Sequence, residues 1–463
     1  MLGTKQSSAA LFLAFLMLAP FGTLAAKAQA PNPAATVFEG ARLITGDGGV
    51  IENSALVIEG DHVVAVGRRG EVTIPPGARR VELAGKTLMP ALIDAHVHMG
   101  YRKGLSFGAE NYTRENLRDI LNRFAYFGVA AVLEAGTSRG DLAYAVRAEA
   151  SEGTRYLTAG SGFGMPNAGP GGPMRDSAYG VTNEGEARKY VQELAGKKAD
   201  MVKIWVDDRG GTVAKLRPDL YRAIIDEAHK HGLRVLAHIV DLADAKGLLR
   251  AGVDGFAHMV RDKEIDDEML ALLRERPDVF FEQTLWGERL AIYDSKPAWI
   301  NEPILRDVLS PQEIALLGAS FEGKPKASEQ AVRAEEAARK RGAMNLRNTA
   351  KLNAAGVTLA LGTDTGGVSG GQYFGLGSHI EIELLAKRAG LTPMQALMAG
   401  TRNAAHALRL DALGTIAPGK SADFLVLDAN PLDNIGNTRA IAAVYLRGQE
   451  IPRAAMAAKW QAK

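Results

Sequence analysis

Residues 88–98 read Leu-Met-Pro-Ala-Leu-Ile-Asp-Ala-His-Val-His, an apolar run that ends in two histidines. The run from Leu88 to Val97 predicts a buried strand, because it is short and almost free of charge. Residues i and i+2 of a strand point to the same face, so His96 and His98 direct both imidazoles toward one point. Two histidines on one strand can also be unrelated, and the pair alone does not decide a function.

Similar apolar segments recur seven times further along the chain. They span residues 130–135, 155–159, 201–206, 234–239, 255–259, 279–285 and 357–361. Helical patterns lie between most of them, at residues 114–127, 184–194, 217–231 and 242–251. Eight alternations of strand and helix predict an α/β fold, a (β/α)8 TIM-like barrel over residues 88–410. A doubly wound open sheet is the alternative.

One connection between predicted strands is unusually long. Residues 286–340 are charged and partly helical. Loops of this length are uncommon inside a compact domain unless they carry a function. We therefore expect an insertion that covers the mouth of the barrel.

The two ends of the predicted barrel share another pattern. Residues 36–87 contain short alternating runs broken by glycines, and residues 423–427 and 442–446 are strand-like. Both features are typical of small β-structures with tight turns. The sequence thus predicts one small β-sandwich domain assembled from residues 31–87 and 411–463.

The first thirty residues are typical of an export signal. Lys5 precedes an apolar run from Ala9 to Ala19, which is too short to span a bilayer, and Ala28-Gln29-Ala30 offers small residues for cleavage. A disordered or membrane-anchoring N-terminus is the alternative. We expect a signal peptide over residues 1–30, cleaved near Ala30, and a periplasmic or secreted protein.

The composition excludes several classes of function. The chain has 463 residues, a net charge of +2 and no cysteine. The absence of cysteine excludes disulfides, thiolate metal ligands and cysteine nucleophiles. Residues 1–30 carry two lysines and no acidic residue, so the mature chain is neutral overall. No nucleic-acid partner is expected, and no membrane association of the mature form.

Four more residues with metal-binding or catalytic chemistry lie at or near the ends of predicted strands. They are Lys203 in the segment 201–206, His238 in 234–239, His258 in 255–259, and Asp364 just after 357–361. A lysine on a buried strand is costly unless something neutralises or ligates it. With the histidine pair, these residues lie at or near the carboxyl ends of strands one, four, five, six and eight, where barrel enzymes place catalysis. Together they predict a metal site.

This arrangement resembles the amidohydrolase superfamily, and within it the imidazolonepropionase-related and prolidase-like enzymes. The match comprises His-x-His after the first strand, lysine on the fourth, histidines on the fifth and sixth, and aspartate after the eighth. Residues 89–94, Met-Pro-Ala-Leu-Ile-Asp, and residues 414–423, Gly-Thr-Ile-Ala-Pro-Gly-Lys-Ser-Ala-Asp, also agree. The resemblance covers residues 36–450. The family usually has glycine where this chain has Ala91, and this difference does not affect a ligand.

The resemblance implies a role for each of the six residues. His96, His98 and Asp364 would hold a more buried divalent metal ion, and His238 and His258 a more exposed one. Lys203 would be N6-carboxylated by CO₂ and would bridge both ions. The imidazole-rich set favours zinc, with manganese, cobalt or iron as alternatives.

The implied enzyme is a hydrolase of small molecules that acts on carbon–nitrogen bonds. A hydroxide between the two metals would attack an amide carbonyl of a dipeptide or N-acyl amino acid, with Asp364 as general base and then acid. The same site suits a lactone, cyclic amide, carbamate or urea equally well. A metal-binding barrel without activity is the third hypothesis. By analogy with relatives of this design, a homo-oligomer is expected.

Four other residues have weaker claims. Glu134 either orients a ligating histidine or forms a cap or salt bridge. His379 is expected to cap or pack a helix, with a role near the site as the alternative. Arg289 and Tyr373 are candidate substrate contacts, in competition with an exposed helix face and a structural glycine-rich turn.

Overall fold

Eight short parallel strands alternate with helices through the middle of the chain. The structure is a computed structural model, and it describes residues 35–150, 152–322 and 328–462 together with Gly3. The strands are β1 (Leu92–Val97), β2 (Val129–Glu134), β3 (Arg155–Thr158), β4 (Val202–Val206), β5 (Val235–Ile239), β6 (Gly255–Ala257), β7 (Phe280–Gln283) and β8 (Thr358–Leu361). The predicted signal peptide, apart from Gly3, lies outside the described residues.

The parallel strands pair in chain order. β2 pairs with β1 and with β3, and β4 to β7 each pair with the next strand in the series. Val97 of β1 also forms a parallel bridge with Thr365, just after β8. Because the strands are parallel, their carboxyl ends lie at the same edge, and the four histidines and the aspartate predicted as ligands lie at that edge. Two strands of two residues, Phe163–Gly164 and Tyr179–Gly180, were not predicted.

The predicted first strand is two strands in the structure. Thr87–Pro90 pairs with Phe424–Leu427, whereas β1 pairs with β2. The partner changes at Ala91, whose N–H donates to the Asp423 carbonyl, while the next N–H donates to Gly128. An unbroken apolar run cannot reveal this break, because both halves are buried and satisfy the same hydrophobic pattern.

Strands from both ends of the chain share one sheet. A six-stranded sheet has the order Gln449–Glu450, Ile441–Leu446, Phe424–Leu427, Thr87–Pro90, Arg42–Ile44 and Val50–Ile51. A four-stranded sheet has the order His62–Arg68, Ser54–Glu59, Thr36–Glu39 and Arg79–Glu82. Phe38 of the second sheet contacts Phe424 and Tyr445 of the first, with ring centroids 5.1 and 5.0 Å apart. The two sheets therefore contribute to one apolar cluster.

Helices follow most of the parallel strands. The α-helices span Arg114–Tyr126, Leu142–Glu149, Glu184–Gly196, Pro218–Lys230, Leu242–Ala251, Asp267–Arg274, Arg289–Ile292, Ile304–Val308, Pro311–Ser320, Glu329–Ala354, Leu376–Lys387, Pro393–Met398, Ala404–Ala407 and Arg453–Gln461. The predicted helix boundaries agree within two residues. Among the described residues, no helix combines the length and apolar character that a membrane span requires.

The loop after β8 packs directly against the end of β1. The N–H of His98 donates to the Thr365 carbonyl at 2.8 Å. Gly366 follows with a φ of +87°, and a Cβ at this position would lie 1.6 Å from the His98 carbonyl oxygen. Only glycine allows the loop to come this close.

We expect Gly366→Ala to lower the stability of the protein by about 2–5 kcal/mol, because the left-handed backbone and the steric clash act together. Gly419 is the matched control, since its φ is +82° and a Cβ added there would meet no atom within 4 Å. Gly419→Ala should cost only about 1 kcal/mol. Urea denaturation of both variants measures the difference, and equal losses would contradict the close approach.

Candidate metal centre

The six residues that the sequence predicts as ligands stand at one edge of the parallel strands. His96 lies on β1 and His98 just beyond it, His238 lies on β5, and His258 follows β6. Lys203 lies on β4, and Asp364 follows β8. The structure thus brings five of the six to the carboxyl ends of their strands, and Lys203, the second residue of β4, reaches His96 with its side chain.

Three of them form a cluster with metal-binding spacing. Candidate ligand atoms of His96, His98 and Asp364 all lie within 4.8 Å of one another. His98 Nε2 is 3.1 Å and His96 Nε2 is 3.8 Å from Asp364 Oδ1. Lys203 Nζ is 3.5 Å from His96 Nε2. Two imidazoles and a carboxylate are a donor set that divalent metals bind.

The other two histidines adjoin this cluster. The ring centroid of His258 is 5.0 Å from that of His96 and 4.6 Å from that of His238. His238 Nε2 is 3.4 Å from Asp207 Oδ2, which leaves Nδ1 as the nitrogen available to a metal. The four rings therefore form a continuous chain in the order His98, His96, His258 and His238.

Two of the six residues have unusual backbone conformations. His258 has a φ of +71° and Asp364 a φ of +56°. Left-handed backbone costs a non-glycine residue of order 1–3 kcal/mol and is concentrated at functional sites. At both positions the conformation directs the chain from a strand end into the site.

Burial favours the neutral form of three of the histidines, and metal ligands must be neutral imidazoles. It lowers the pKa of His96 and His258 well below the usual value, and neighbouring positive charges add to the effect. It also lowers the pKa of His238 to about 4, although the hydrogen bond to Asp207 acts in the opposite direction. The lone pairs of these rings are thus available at neutral pH.

The Nδ1 atom of three of the imidazoles has a buried partner. His96 Nδ1 is 3.0 Å from Glu282 Oε2, and His258 Nδ1 is 2.6 Å from Thr284 Oγ1. His98 Nδ1 is 3.0 Å from Thr137 Oγ1, and that hydroxyl in turn donates to Glu134. The Thr137 hydroxyl donates to Glu134, so it accepts the Nδ1 proton of His98 and leaves Nε2 free to bind a metal, and the other two partners orient their rings in the same way.

We expect Thr137→Val to weaken metal binding by about 10–100-fold, because His98 loses the hydroxyl that orients it. Thr438 is the matched control, since it is fully buried and its hydroxyl has no partner among the described residues. Metal affinity is measured by competition with a chromogenic chelator. Equal affinities of Thr137→Val and Thr438→Val would contradict the role of Thr137.

Lys203 is fully buried, and burial lowers the pKa of its amine to about 8. Among the described residues, no carboxylate lies within ion-pair distance of Nζ. The ring of Trp205, on the same face of β4, has its centroid 5.7 Å from Nζ. The lowered pKa raises the neutral fraction of this amine at neutral pH, and the neutral amine is the form that reacts with CO₂ to give an anionic carbamate and a proton.

A family model and individual relatives match this chain. The model described as "Amidohydrolase family" matches residues 87–451. The chain belongs to the amidohydrolase family. This confirms the resemblance, which implies a TIM-barrel-like α/β fold, a metal cofactor and small-molecule substrates. The protein is a hydrolase that acts on carbon–nitrogen bonds.

Relatives in the amidohydrolase family match most of this chain. Ochratoxinase from Aspergillus niger is 27% identical over 449 residues, with 86% of this chain and 82% of the relative covered. Imidazolonepropionase from Streptomyces avermitilis is 26% identical, with 82% of both chains covered. The crystal structure of a putative prolidase from Bifidobacterium longum has a TM-score of 0.71 and 25% identity, covering 93% of this chain and all of that one.

Asp94 ties the first strand of this amidohydrolase to the loop that carries Asp364. Its carboxylate accepts hydrogen bonds from the N–H and hydroxyl of Thr363, at 3.1 and 2.8 Å, and from the Ser378 hydroxyl at 2.8 Å. Burial raises the pKa of Asp94 to about 7. Asp94, two residues before His96, therefore connects the strand that carries His96 to the loop that carries Asp364.

The structure also places the four residues with weaker claims. Glu134 is fully buried and reaches His98 through Thr137, which agrees with a ligand-orienting role. His379 is buried in a helix, and its Nε2 lies 2.7 Å from the Phe127 carbonyl, as expected of a packing residue. Arg289 is only 6% exposed, so the alternative of an exposed helix face is wrong for it. Tyr373 packs edge-on against Trp286, with ring centroids 5.7 Å apart.

Sequence reasoning missed most residues that support the ligands. Glu282 and Thr284 lie on and just after β7, Thr137 follows β2, and Asp207 follows β4. Of these four, only Glu282 carried a signal in the sequence, because it is a charged residue inside an apolar strand. Hydroxyls and carboxylates in loops carry no pattern of their own, and their partners become evident only in the fold.

Proposed function

We propose that this amidohydrolase is a binuclear metal enzyme that cleaves amide bonds of small molecules such as dipeptides or N-acyl amino acids. The convergence of His96, His98, His258, Lys203 and Asp364 at one strand edge carries the proposal. Lactones, cyclic amides, carbamates and ureas are the alternative substrates of the same chemistry.

We assign His96, His98 and Asp364 to one ion and His238 and His258 to the other. Carboxylated Lys203 would bridge them, and zinc is the favoured metal. The 3.5 Å distance between Lys203 and His96 and the lowered pKa of the amine support this assignment. Two such ions supply a water molecule of lowered pKa and polarise a carbonyl.

Asp364 is the proton acceptor and donor in this proposal. Burial acts to raise its pKa, but the hydrogen bond and charge of His98 prevail and keep the pKa below its usual value. Ser369 Oγ donates to Oδ2 at 3.3 Å, while Oδ1 faces His98. The ionised carboxylate takes a proton from the attacking water and gives it to the leaving nitrogen. Water and an amide thereby become a carboxylate and an amine.

We also propose that the parallel series closes into a (β/α)8 barrel and that the two terminal sheets form a β-sandwich. The bridge between Val97 and Thr365 supports the closure of β1 onto β8. The N–H of Asp200, which precedes β4, donates to Thr158 at the end of β3 at 2.9 Å, and supports closure on the other side. The shared cluster of Phe38, Phe424 and Tyr445 supports the sandwich.

The decisive experiment compares substrate classes. Purified protein loaded with zinc is incubated with dipeptides, N-acyl amino acids, lactones and carbamates, and its metal content is measured by mass spectrometry. We expect two zinc ions per chain and turnover of amides. Turnover of lactones or carbamates alone would favour the alternative, and no turnover at full metal content would favour a non-enzymatic barrel.

Export and self-association complete the proposal. Residues 1–30 support removal of a signal peptide, and intact-mass analysis of exported protein should give a chain that begins at Pro31. A homo-oligomer is proposed by analogy with the design, and light scattering in solution tests it.

A further inference from the structure

A cavity of about 690 Å³ is lined by two residues that neighbour the carboxylate of Asp364. Ser369 lines this cavity, and its hydroxyl donates to Asp364 Oδ2 at 3.3 Å. Gly287 lines it as well, and a Cβ at that position would lie 3.7 Å from the same oxygen. A substrate whose amide nitrogen receives a proton from Asp364 would therefore extend into this cavity.

The cavity wall is rich in positive charge. Its arginines are Arg102, Arg261, Arg289, Arg339 and Arg341, and its carboxylates are Glu288 and Glu335. Arg261 pairs with Glu288 at 3.0 Å, and Arg339 with Glu335 at 3.3 Å. The remaining arginines give the wall a net positive charge, which favours an anionic ligand.

Arg289 is the buried member of this set. It is 6% exposed, and its Nη1 donates to the carbonyls of Trp286 and Ser369 at 3.0 and 2.8 Å. Its Nε has no hydrogen-bond partner, and no carboxylate of the described residues pairs with it. A buried guanidinium without an anion is costly, and a bound carboxylate is the natural counter-ion for its planar fork.

The mouth of the same cavity is apolar. Six large apolar side chains are exposed among the described residues, and four of them line this cavity. They are Leu105, Leu290, Leu316 and Val368, with exposed fractions between 48% and 59%. Apolar side chains clustered around an open cavity mark a site for apolar ligand groups.

We infer that this cavity binds the part of the substrate that carries a carboxylate beside a bulky apolar group, and that Arg289 binds that carboxylate. The substrate is then an amide of an apolar amino acid. This inference rests on the proposed function and narrows it, because neutral amides, carbamates and ureas lack the anion that complements Arg289.

The test compares two amides that differ only in the carboxylate. N-benzoyl-L-phenylalanine carries it, and N-benzoyl-phenethylamine has the same scissile bond without it. We expect the zinc-loaded enzyme to prefer the acid by about 10²-fold in kcat/KM. In Arg289→Gln the preference should fall to a few-fold, because KM rises for the acid more than for the neutral amide.

Two further variants keep the test decisive. Arg289→Lys keeps the charge but loses the planar fork, so the preference should fall by about 10-fold even where Arg289→Gln does not fold. Arg333→Gln is the matched control, because Arg333 is 70% exposed and lies outside the cavity lining. It should leave the preference unchanged.

The outcomes separate this inference from the proposed function. Equal turnover of both amides by the unaltered enzyme, or an unchanged preference in the Arg289 variants, would overturn the role of Arg289 and leave amide hydrolysis intact. If the fully metallated enzyme hydrolysed no amide of any kind, the proposed function would fail and this inference with it.

Discussion

Replacement of Lys203 by alanine should remove most of the bound metal and nearly all activity. The substitution deletes the amine that, as a carbamate, would supply the bridging anion of the site. Changing a residue that only supports a metal ligand costs about 10–100-fold, and loss of a bridging ligand should exceed that range. Metal content by mass spectrometry and kcat on the best amide substrate measure the effect.

Short carboxylic acids should partly restore the Lys203→Ala variant, because acetate or propionate fits the volume that the side chain leaves and supplies two oxygens. Carboxylation of Lys203 can be measured directly. Protein prepared with ¹³C-bicarbonate should show a carbamate ¹³C signal that the Lys203→Ala variant lacks. Lys230→Ala is the control, since Lys230 is exposed and pairs with Asp226. Native turnover by Lys203→Ala would refute the binuclear assignment.

Asp364→Asn should lower turnover by about 10²–10⁴-fold while much of the metal remains bound. The amide keeps the size of the side chain and one oxygen, but it cannot accept the proton of water. The structure places Oδ1 3.1 Å from His98 Nε2, so both residues reach the same point of the site. Steady-state kinetics with metal analysis separate proton transfer from metal loss.

The control for Asp364→Asn is Asp433→Asn, at an exposed turn residue. It makes the same chemical change and should affect neither metal content nor turnover. If Asp364→Asn hydrolysed substrate at a near-native rate, another group would have to transfer the proton. If the variant lost both metal and turnover, the main role of Asp364 would be metal binding rather than proton transfer.

The candidate ligands could be singled out from the sequence because they follow a strong pattern. A histidine or lysine within a buried strand stands out against its apolar neighbours, and His96, Lys203 and His238 were found in this way. Strand direction then fixed their common edge, since parallel strands share their carboxyl ends. The helix at Leu242–Ala251 agreed with its predicted bounds for a similar reason, because its apolar positions repeat at the helical period.

The supporting residues and the cavity could not be predicted in the same way. Thr137 acts through its distance to His98 and Glu134, and the buried environment of Arg289 depends on segments that lie about 80 residues apart, at Trp286 and Ser369. Burial of a single arginine leaves no periodic trace in the sequence. The break at Ala91 was hidden because two sheets share one apolar run.

The sheet that joins both termini constrains how the protein comes to be folded. The strand Thr87–Pro90 cannot pair with Phe424–Leu427 until that strand has left the ribosome, more than 300 residues later. Pairing across such a separation closes a long loop and is slow to form. During translation the amino-terminal strands therefore expose an unpaired sheet edge, which is a site for aggregation or chaperone binding. A nascent chain stopped short of residue 427 cannot finish this sheet, and late truncations should yield insoluble protein.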